Sequence, residues 1–317
     1  MKHSRRSFIQ KSALTGIGFP FIGLSITKTP INPGSPKKCP YCIFSKHLQF
    51  LNYEDMADTI AEAGLDGADL TVRPGGHVLP ENVEKDLPMA VEALQKNGLD
   101  APMITTAIND PDDPVTERIL KTAGEQGIRY YRMGYFRYNN GKEINETILD
   151  LRLIITALEE MNKKYNIHGA YQNHAGNYFG APVWDLWILL NGFDPHYVGC
   201  QYDIRHATVE GGTSWPLGLK LLQSYIRTIV VKDFRWEKIN GSWQTVNVPL
   251  GEGMVDFTRF FGLLKEVGFS GPISMHFEYP FFDEKDTALS LEQKRRKALE
   301  YIRKDLAFLK SKLAGRD

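Results

Sequence analysis

Several features are scarce in this sequence, and each shortage excludes something. Cysteine occurs three times in 317 residues, which is at most one bridge and an odd thiol, not a disulfide framework. Net charge is missing: 38 Lys and Arg balance 38 Asp and Glu. That balance removes the electrostatic case for nucleic acid or an anionic membrane as partner. No apolar run is long enough for a comfortable transmembrane span. No glycine-rich phosphate turn follows the first strand-like run, which argues against a doubly wound nucleotide-binding sheet. A second Cys-x-x-Cys is also missing, so Cys39 and Cys42 of "CPYC" complete no zinc tetrad. They read as incidental cysteines at the entry to the first strand, ahead of a redox pair or half a metal site.

The N-terminus differs in kind from the rest. "MKHSRRSFIQKS" carries Arg5 and Arg6 and is followed by "ALTGIGFPFIGLSIT", apolar and uncharged. A basic segment before a short apolar one reads as an export signal, and the paired arginines resemble a twin-arginine (Tat) signal, implying a periplasmic protein. Gly16, Gly18 and Pro20 would spoil the rival reading as a cytosolic helix. Residues 1–29 are therefore assigned to the signal and 30–38 to a linker rich in Pro and Gly.

From 39 to 317, short apolar runs alternate with amphipathic helical patterns. "YCIF" precedes "YEDMADTIAEAG", "GADLTV" precedes "PMAVEALQKNG", and the alternation repeats to "GPISMHFEY" and a charged C-terminal helix. Eight such units with right-handed crossovers predict a single (β/α)8 TIM barrel, with a hairpin-like insertion after the seventh strand. Catalysis in that architecture sits at the C-terminal strand ends, so the polar groups there matter most.

Alternation in the fifth strand puts Gln172 and His174 of "GAYQNH" on one face. The sixth ends in "DIRH" with Asp203 and His206. The seventh ends in "VVKD", with Val230 and Lys232 on one face and Asp233 on the other, and the eighth ends with His276 and Glu278. Carboxylates and imidazoles converging on one mouth suit a divalent metal or acid–base work on a polyol. Arg73 and His77 of "TVRPGGHV", with Asp69 and Thr71 behind them, and Lys46 and His47 of "FSKHLQF" are further candidates. Arg73 beside a Gly-Gly turn suits a grip on a hydroxyl or carboxylate. Tyr135, Tyr178, Trp184 and Trp215 offer a sugar an apolar face, although the "WDLWILL" pattern packs Trp184 and Trp187 against the barrel. Plainer readings exist beside these: Asp203 caps the following helix, and Lys232–Asp233 is a solvated pair.

"QNH", "DIRH", "VVKD", "GEGMVDF" and "GPISMHFEY", in this order, resemble the xylose-isomerase-like barrel superfamily of sugar isomerases, epimerases and related lyases. The resemblance implies a metal held by a Glu on strand five, an Asp on six, a His on seven and a Glu on eight. Asp203 and Glu278 match. Gln172 stands where the first Glu is expected and Val230 where the His is expected. The implied Mn, Mg, Co or Zn site is then Gln172, Asp203 and Glu278, with His174, His206 or His276 to supply the missing nitrogen, or the site is metal-free and Lys232 balances the carboxylates.

Gln172 neither takes nor gives a proton near neutral pH, which disfavours two-base epimerisation. The resemblance implies an enzyme that takes a proton next to a carbonyl of a sugar or keto-sugar. Glu278, His206, Lys232 and His276 are its catalytic candidates, and His174, Arg73, His77, Lys46 and Trp215 its substrate-binding ones. A 3-keto-glycoside lyase or hydrolase and a non-catalytic sugar-binding barrel are the alternatives. An endonuclease-like relative would need a basic face that the neutral charge does not supply. The expected partner is a small carbohydrate, with no nucleic acid and no transmembrane span; family barrels also suggest a homodimer.

Overall fold

The computed structural model describes residues 40–138, 141–283, 286 and 288–314; the expected leader, the linker and Cys39 lie outside them. Helix boundaries follow local chemistry. The Asn52 side chain accepts from the Asp55 amide to start α1 (Tyr53–Ala63), and Gly64, at φ 78°, ends it in the left-handed region. Asp113 caps α3 (Pro114–Glu125), whose first residue is the Pro that a helix start tolerates. Between them lies α2 (Val83–Lys96). A reciprocal pair of Glu143 and Glu146 opens α4 (Ile144–Tyr165). Then come α5 (Val183–Leu190), α6 (Ile204–Gly211), α7 (Trp215–Leu222), α8 (Phe257–Glu266) and α9 (Leu291–Ala314).

Eight parallel strands close the barrel. They are β1 (Tyr41–Phe44), β2 (Gly67–Val72), β3 (Asp100–Thr106), β4 (Tyr130–Arg132), β5 (His168–Gln172), β6 (Val198–Asp203), β7 (Ile226–Val231) and β10 (Ile273–Met275). Pairing of Ile43 with both Met275 and Ala68 seals first strand to last. Strand residues such as Ile43, Ala68, Ile104 and Val230 are fully buried, as expected when helices cover a parallel sheet. Each buried Ile or Leu stabilises the barrel by roughly 1.5–3 kcal/mol.

The expected insertion is an antiparallel hairpin of β8 (Asp233–Ile239) and β9 (Ser242–Val248). β10 is shorter than the apolar run suggested, so His276 and Glu278 belong to the loop beyond it. Cys42 and Cys200 are buried in β1 and β6, and burial pushes both thiols up, away from the reactive thiolate. No described helix is long and apolar enough to cross a membrane.

Asp233 does structural work. Its carboxylate accepts from the backbone amides of Phe234, Gly251, Gly253 and Val255 at 2.8–3.1 Å, fixing the return from the hairpin to α8. The approach is so close that a Cβ on Gly253 would lie 2.2 Å from Asp233 Oδ1. Asp233→Ala orphans buried donors and should lower unfolding stability by about 3 kcal/mol. A chemical-denaturation loss below roughly 0.5 kcal/mol would show that the loop holds without it.

Candidate active site

The C-terminal strand ends surround a cavity of about 320 Å³. Phe44 and Lys46 reach it after β1, Arg73 after β2, Arg132 and Tyr135 from β4 and its loop, and Gln172 and His174 from β5. Arg205 and His206 follow β6, Lys232 follows β7, Asn247 comes from the hairpin, and His276 and Glu278 follow β10. A larger hollow of about 420 Å³, lined by Arg129, Tyr130, His168 and Tyr197, lies at the opposite ends of the strands. TIM-barrel chemistry is not found at that end.

Lys232 Nζ is the hub. It lies 3.0 Å from Asp203 Oδ2, 2.9 Å from His206 Nε2 and 4.0 Å from Glu278 Oε1. Asp203 caps a helix and faces the cavity's ammonium at the same time. Oδ1 accepts from the His206 amide and caps α6, while Oδ2 faces Lys232 and accepts from Gln172 Nε2 at 2.8 Å. Because a carboxylate only accepts, Asp203 dictates that Gln172 turns its nitrogen inward. The amide oxygen is taken up by the Tyr135 hydroxyl at 2.7 Å. Asn173 clamps the same strand end, accepting from the Asp203 amide and donating to its carbonyl.

Charge around Glu278 is lopsided. Burial alone would raise its carboxyl, but His276 at 3.9 Å, Lys232, and Lys46 at 3.4 Å hold it far below the usual carboxylate range. The histidines go the other way. Burial, reinforced by Lys232, His174 and Arg205, depresses His206 well below its ordinary value. Burial, opposed by its bond to the Ala175 carbonyl, still lowers His174. That carbonyl accepts from Nδ1 at 2.9 Å and so leaves the Nε2 lone pair of His174 without a proton. The His174 and His206 rings lie 4.0 Å apart, and Tyr135 and Tyr178 flank His174 at 5.0 and 4.5 Å.

Not every candidate reaches the cavity. His77 binds Ser45 Oγ through Nδ1 and Thr71 Oγ1 through its amide, tying the ends of β1 and β2 together outside the lining. Trp215 is buried at the start of α7 against Phe260, in a separate hollow with Val183 and Tyr202. Its aromatic bulk suggested sugar stacking; its place in the outer layer makes it core. Trp184 is 56% exposed on α5 rather than packed against the barrel. His47 accepts from the Phe277 amide and lies behind His276.

Arg132, Arg205 and Asn247 line the cavity but were not singled out from the sequence. A lone arginine in the apolar run "YYRMG" is the readable signal for the first. Arg205 looks like any solvated first-turn residue, and nothing local shows that the hairpin brings Asn247 over the mouth.

The ligand set implied for a metal does not fit these residues. Val230 offers no donor, Gln172 turns its nitrogen toward Asp203, and the Lys232 ammonium stands beside both remaining carboxylates. Among the described residues no group of three His, Cys, Asp or Glu side chains is arranged to hold a metal ion.

A closed barrel of this topology, with its polar groups at the C-terminal mouth, defines the class, and the chain belongs to the xylose isomerase-like TIM barrel family, whose model matches residues 57–312. Solved structures with similar backbones include D-allulose 3-epimerase from Methylomonas sp., with TM-score 0.63 and 16% identity over 87% of this chain and 98% of that one. Another is 3-keto-D-glucoside 4-epimerase from E. coli (TM-score 0.64, 14% identity, 86% and 100% covered). A third is an L-ribulose 3-epimerase (TM-score 0.66, 13% identity, 87% and 95% covered). At such identities the likeness establishes the fold alone. No curated protein sequence matches the chain.

The electrostatics can be tested directly. Burial holds His47 at about 3 and His168 at about 4, and His206 is depressed well below its ordinary value. At pH 5.5 all three should give neutral-imidazole signals in ¹⁵N NMR. An imidazolium signal from any of them would contradict the burial argument.

Proposed function

We propose that this chain is a sugar isomerase-type enzyme that removes a proton next to a carbonyl, with His174 as base and the Lys232 ammonium as the electrophile. The observation that carries this reading is the position of Lys232, held by Asp203 and lining the same cavity as a neutral imidazole whose Nε2 lone pair is unprotonated. A base needs that lone pair, and its lowered proton affinity keeps it available through neutral pH. As the C–H bond breaks, its electron pair moves toward the carbonyl oxygen and the proton passes to His174. Lys232 stabilises the developing enolate oxygen, a task performed elsewhere by preorganised donors or a metal ion.

Transfer of the neighbouring hydroxyl's proton to the enolate oxygen, followed by return of the abstracted proton from His174 to the former carbonyl carbon as the new C=O forms, interconverts aldose and ketose. Expulsion of a β-substituent from the same enolate gives elimination, the lyase alternative. Epimerisation by two opposed bases is disfavoured because Gln172 cannot exchange a proton. Glu278, held ionised by Lys232, Lys46 and His276, is too weak a base for this work and serves as counter-charge. His206 orients Lys232, and His276, stacked on Phe44 at 4.2 Å, braces Glu278.

The family-implied divalent metal has no step here, since the donor set does not suit it. Export to the periplasm belongs to the same reading and rests on Arg5, Arg6 and the apolar run after them. Pairing of two copies would have Leu149 and Leu153 of α4 and Ile188 of α5 as exposed apolar surface.

Proton abstraction is measurable without knowing the product. With a panel of keto-sugars in D2O, NMR should show exchange of the C–H next to the carbonyl. His174→Ala and Lys232→Met should each slow it by about 100-fold or more. Absence of exchange on every keto-sugar would sink the enzyme reading in favour of a sugar-binding barrel. Full-rate exchange by Lys232→Met would remove its role.

A further inference from the structure

The cavity holds more positive charge than its own carboxylates neutralise. Lys46, Arg73, Arg132, Arg205 and Lys232 line it, against Glu278 on the lining and Asp69 and Asp203 behind it. Five cations thus face three carboxylates. Lys46 and Lys232 are paired with acids, but among the described residues no carboxylate oxygen reaches ion-pair distance of the three arginines.

Two of those arginines are deeply placed. Arg132 is 4% and Arg205 7% exposed, and the Nε of each is buried without a hydrogen-bond partner. Arg132 spends one terminal N–H on the Thr106 carbonyl and lays its plane over the Tyr135 ring at 4.6 Å. Arg205 directs Nη1 at His206 Nδ1, 3.1 Å away, while Lys232 addresses the other nitrogen of that ring. A neutral imidazole has one lone pair and one N–H, so it accepts from only one of the two. Among the described residues the Arg73 side chain has only the Phe44 ring, at 5.3 Å, and Arg132 repels it closely enough to lower its proton affinity beyond the effect of burial. Buried, unpaired guanidinium groups are costly. A site that keeps two of them, and the partly exposed Arg73, beside one cavity is short of an anion.

Resting on the isomerase reading of the same cavity, we propose that the substrate is an acidic sugar, its carboxylate held by Arg73 and Arg132 while the carbonyl end faces Lys232 and His174. Arginine forks match a planar carboxylate in two-point contact. The arginines stand at the C-terminal ends of β2, β4 and β6, whereas barrel phosphate sites form after strands seven and eight at a helix N-terminus. Here β7 runs instead into the hairpin. A phosphosugar is therefore the less favoured anion, and a neutral ketohexose leaves the guanidinium groups unanswered. A volume of about 320 Å³ suits a single small ligand.

Calorimetric titration of the full-length protein with D-glucuronate, D-galacturonate, D-glucose, D-galactose and D-glucose 6-phosphate tests this. At least one uronate should bind about tenfold or more tightly than its neutral counterpart, with the preference shrinking as salt is raised. Arg73→Gln, at a partly exposed position whose side chain makes no hydrogen bond to the described residues, should erase the preference; Arg132→Gln is the second variant, and circular dichroism checks the fold of both. Equal or tighter binding of neutral sugars, or no uronate binding at all, overturns the proposal. Tighter binding of the phosphate ester overturns the carboxylate assignment, and a preference that survives both substitutions overturns the two arginines. Binding is read apart from turnover, so the two readings fail separately. Uronate bound without C–H exchange defeats the isomerase reading alone, and neutral sugars bound and exchanged defeat this one alone.

Discussion

An ammonium group inside the mouth of the barrel is the constraint on which the site depends. Lys232 is 5% exposed, and taking its charge out of water is expensive unless a partner is fixed nearby. Asp203 is that partner, and much of what surrounds it keeps it in place. Asn173 grips its backbone from both sides, Gln172 donates to the oxygen shared with Lys232, and the first turn of α6 donates to the other oxygen. The departures from the family's implied metal set then become one coherent change. Gln172 donates where a glutamate would accept, Val230 withdraws a ligand, and the internal cation stands where both surviving carboxylates feel it.

Neighbouring residues of the β7 end divide the labour. Lys232 turns into the cavity while Asp233 turns away and gathers four amides of the loop that leads to α8. The two-residue period of an extended chain separates chemistry from architecture at adjacent positions. A similar division holds at the first two strands, where Arg73 lines the cavity and His77, four residues on, ties Ser45 to Thr71.

The barrel was legible because its strands are short apolar runs set between helices with clear starts, as at Asn52 and Asp113. The convergence of Gln172, Asp203, Lys232 and Glu278 followed from alternation and strand order. What local pattern does not encode is direction and neighbourhood. Trp215 has the composition of a sugar platform but sits in the outer layer, a choice made by packing against Phe260. Arg205 became a cavity residue because α6 starts directly after its cap, Asp203, and turns its first residues inward. Asn247 depended on a hairpin folding back over the mouth, a contact between segments far from their partners in sequence. Which nitrogen or oxygen of Gln172 faces inward was likewise settled by a residue 31 positions away.

Elemental analysis of the purified protein after dialysis against Mn, Co, Zn and Mg tests most directly whether an ammonium stands in for a metal ion. If Lys232 fills that role, no metal is retained above a small fraction of an equivalent, and Lys232→Met is the variant in which retention rises. Near-stoichiometric metal in the wild type, lost on Glu278→Gln, would contradict it and return Asp203, Glu278 and Gln172 to a metal centre.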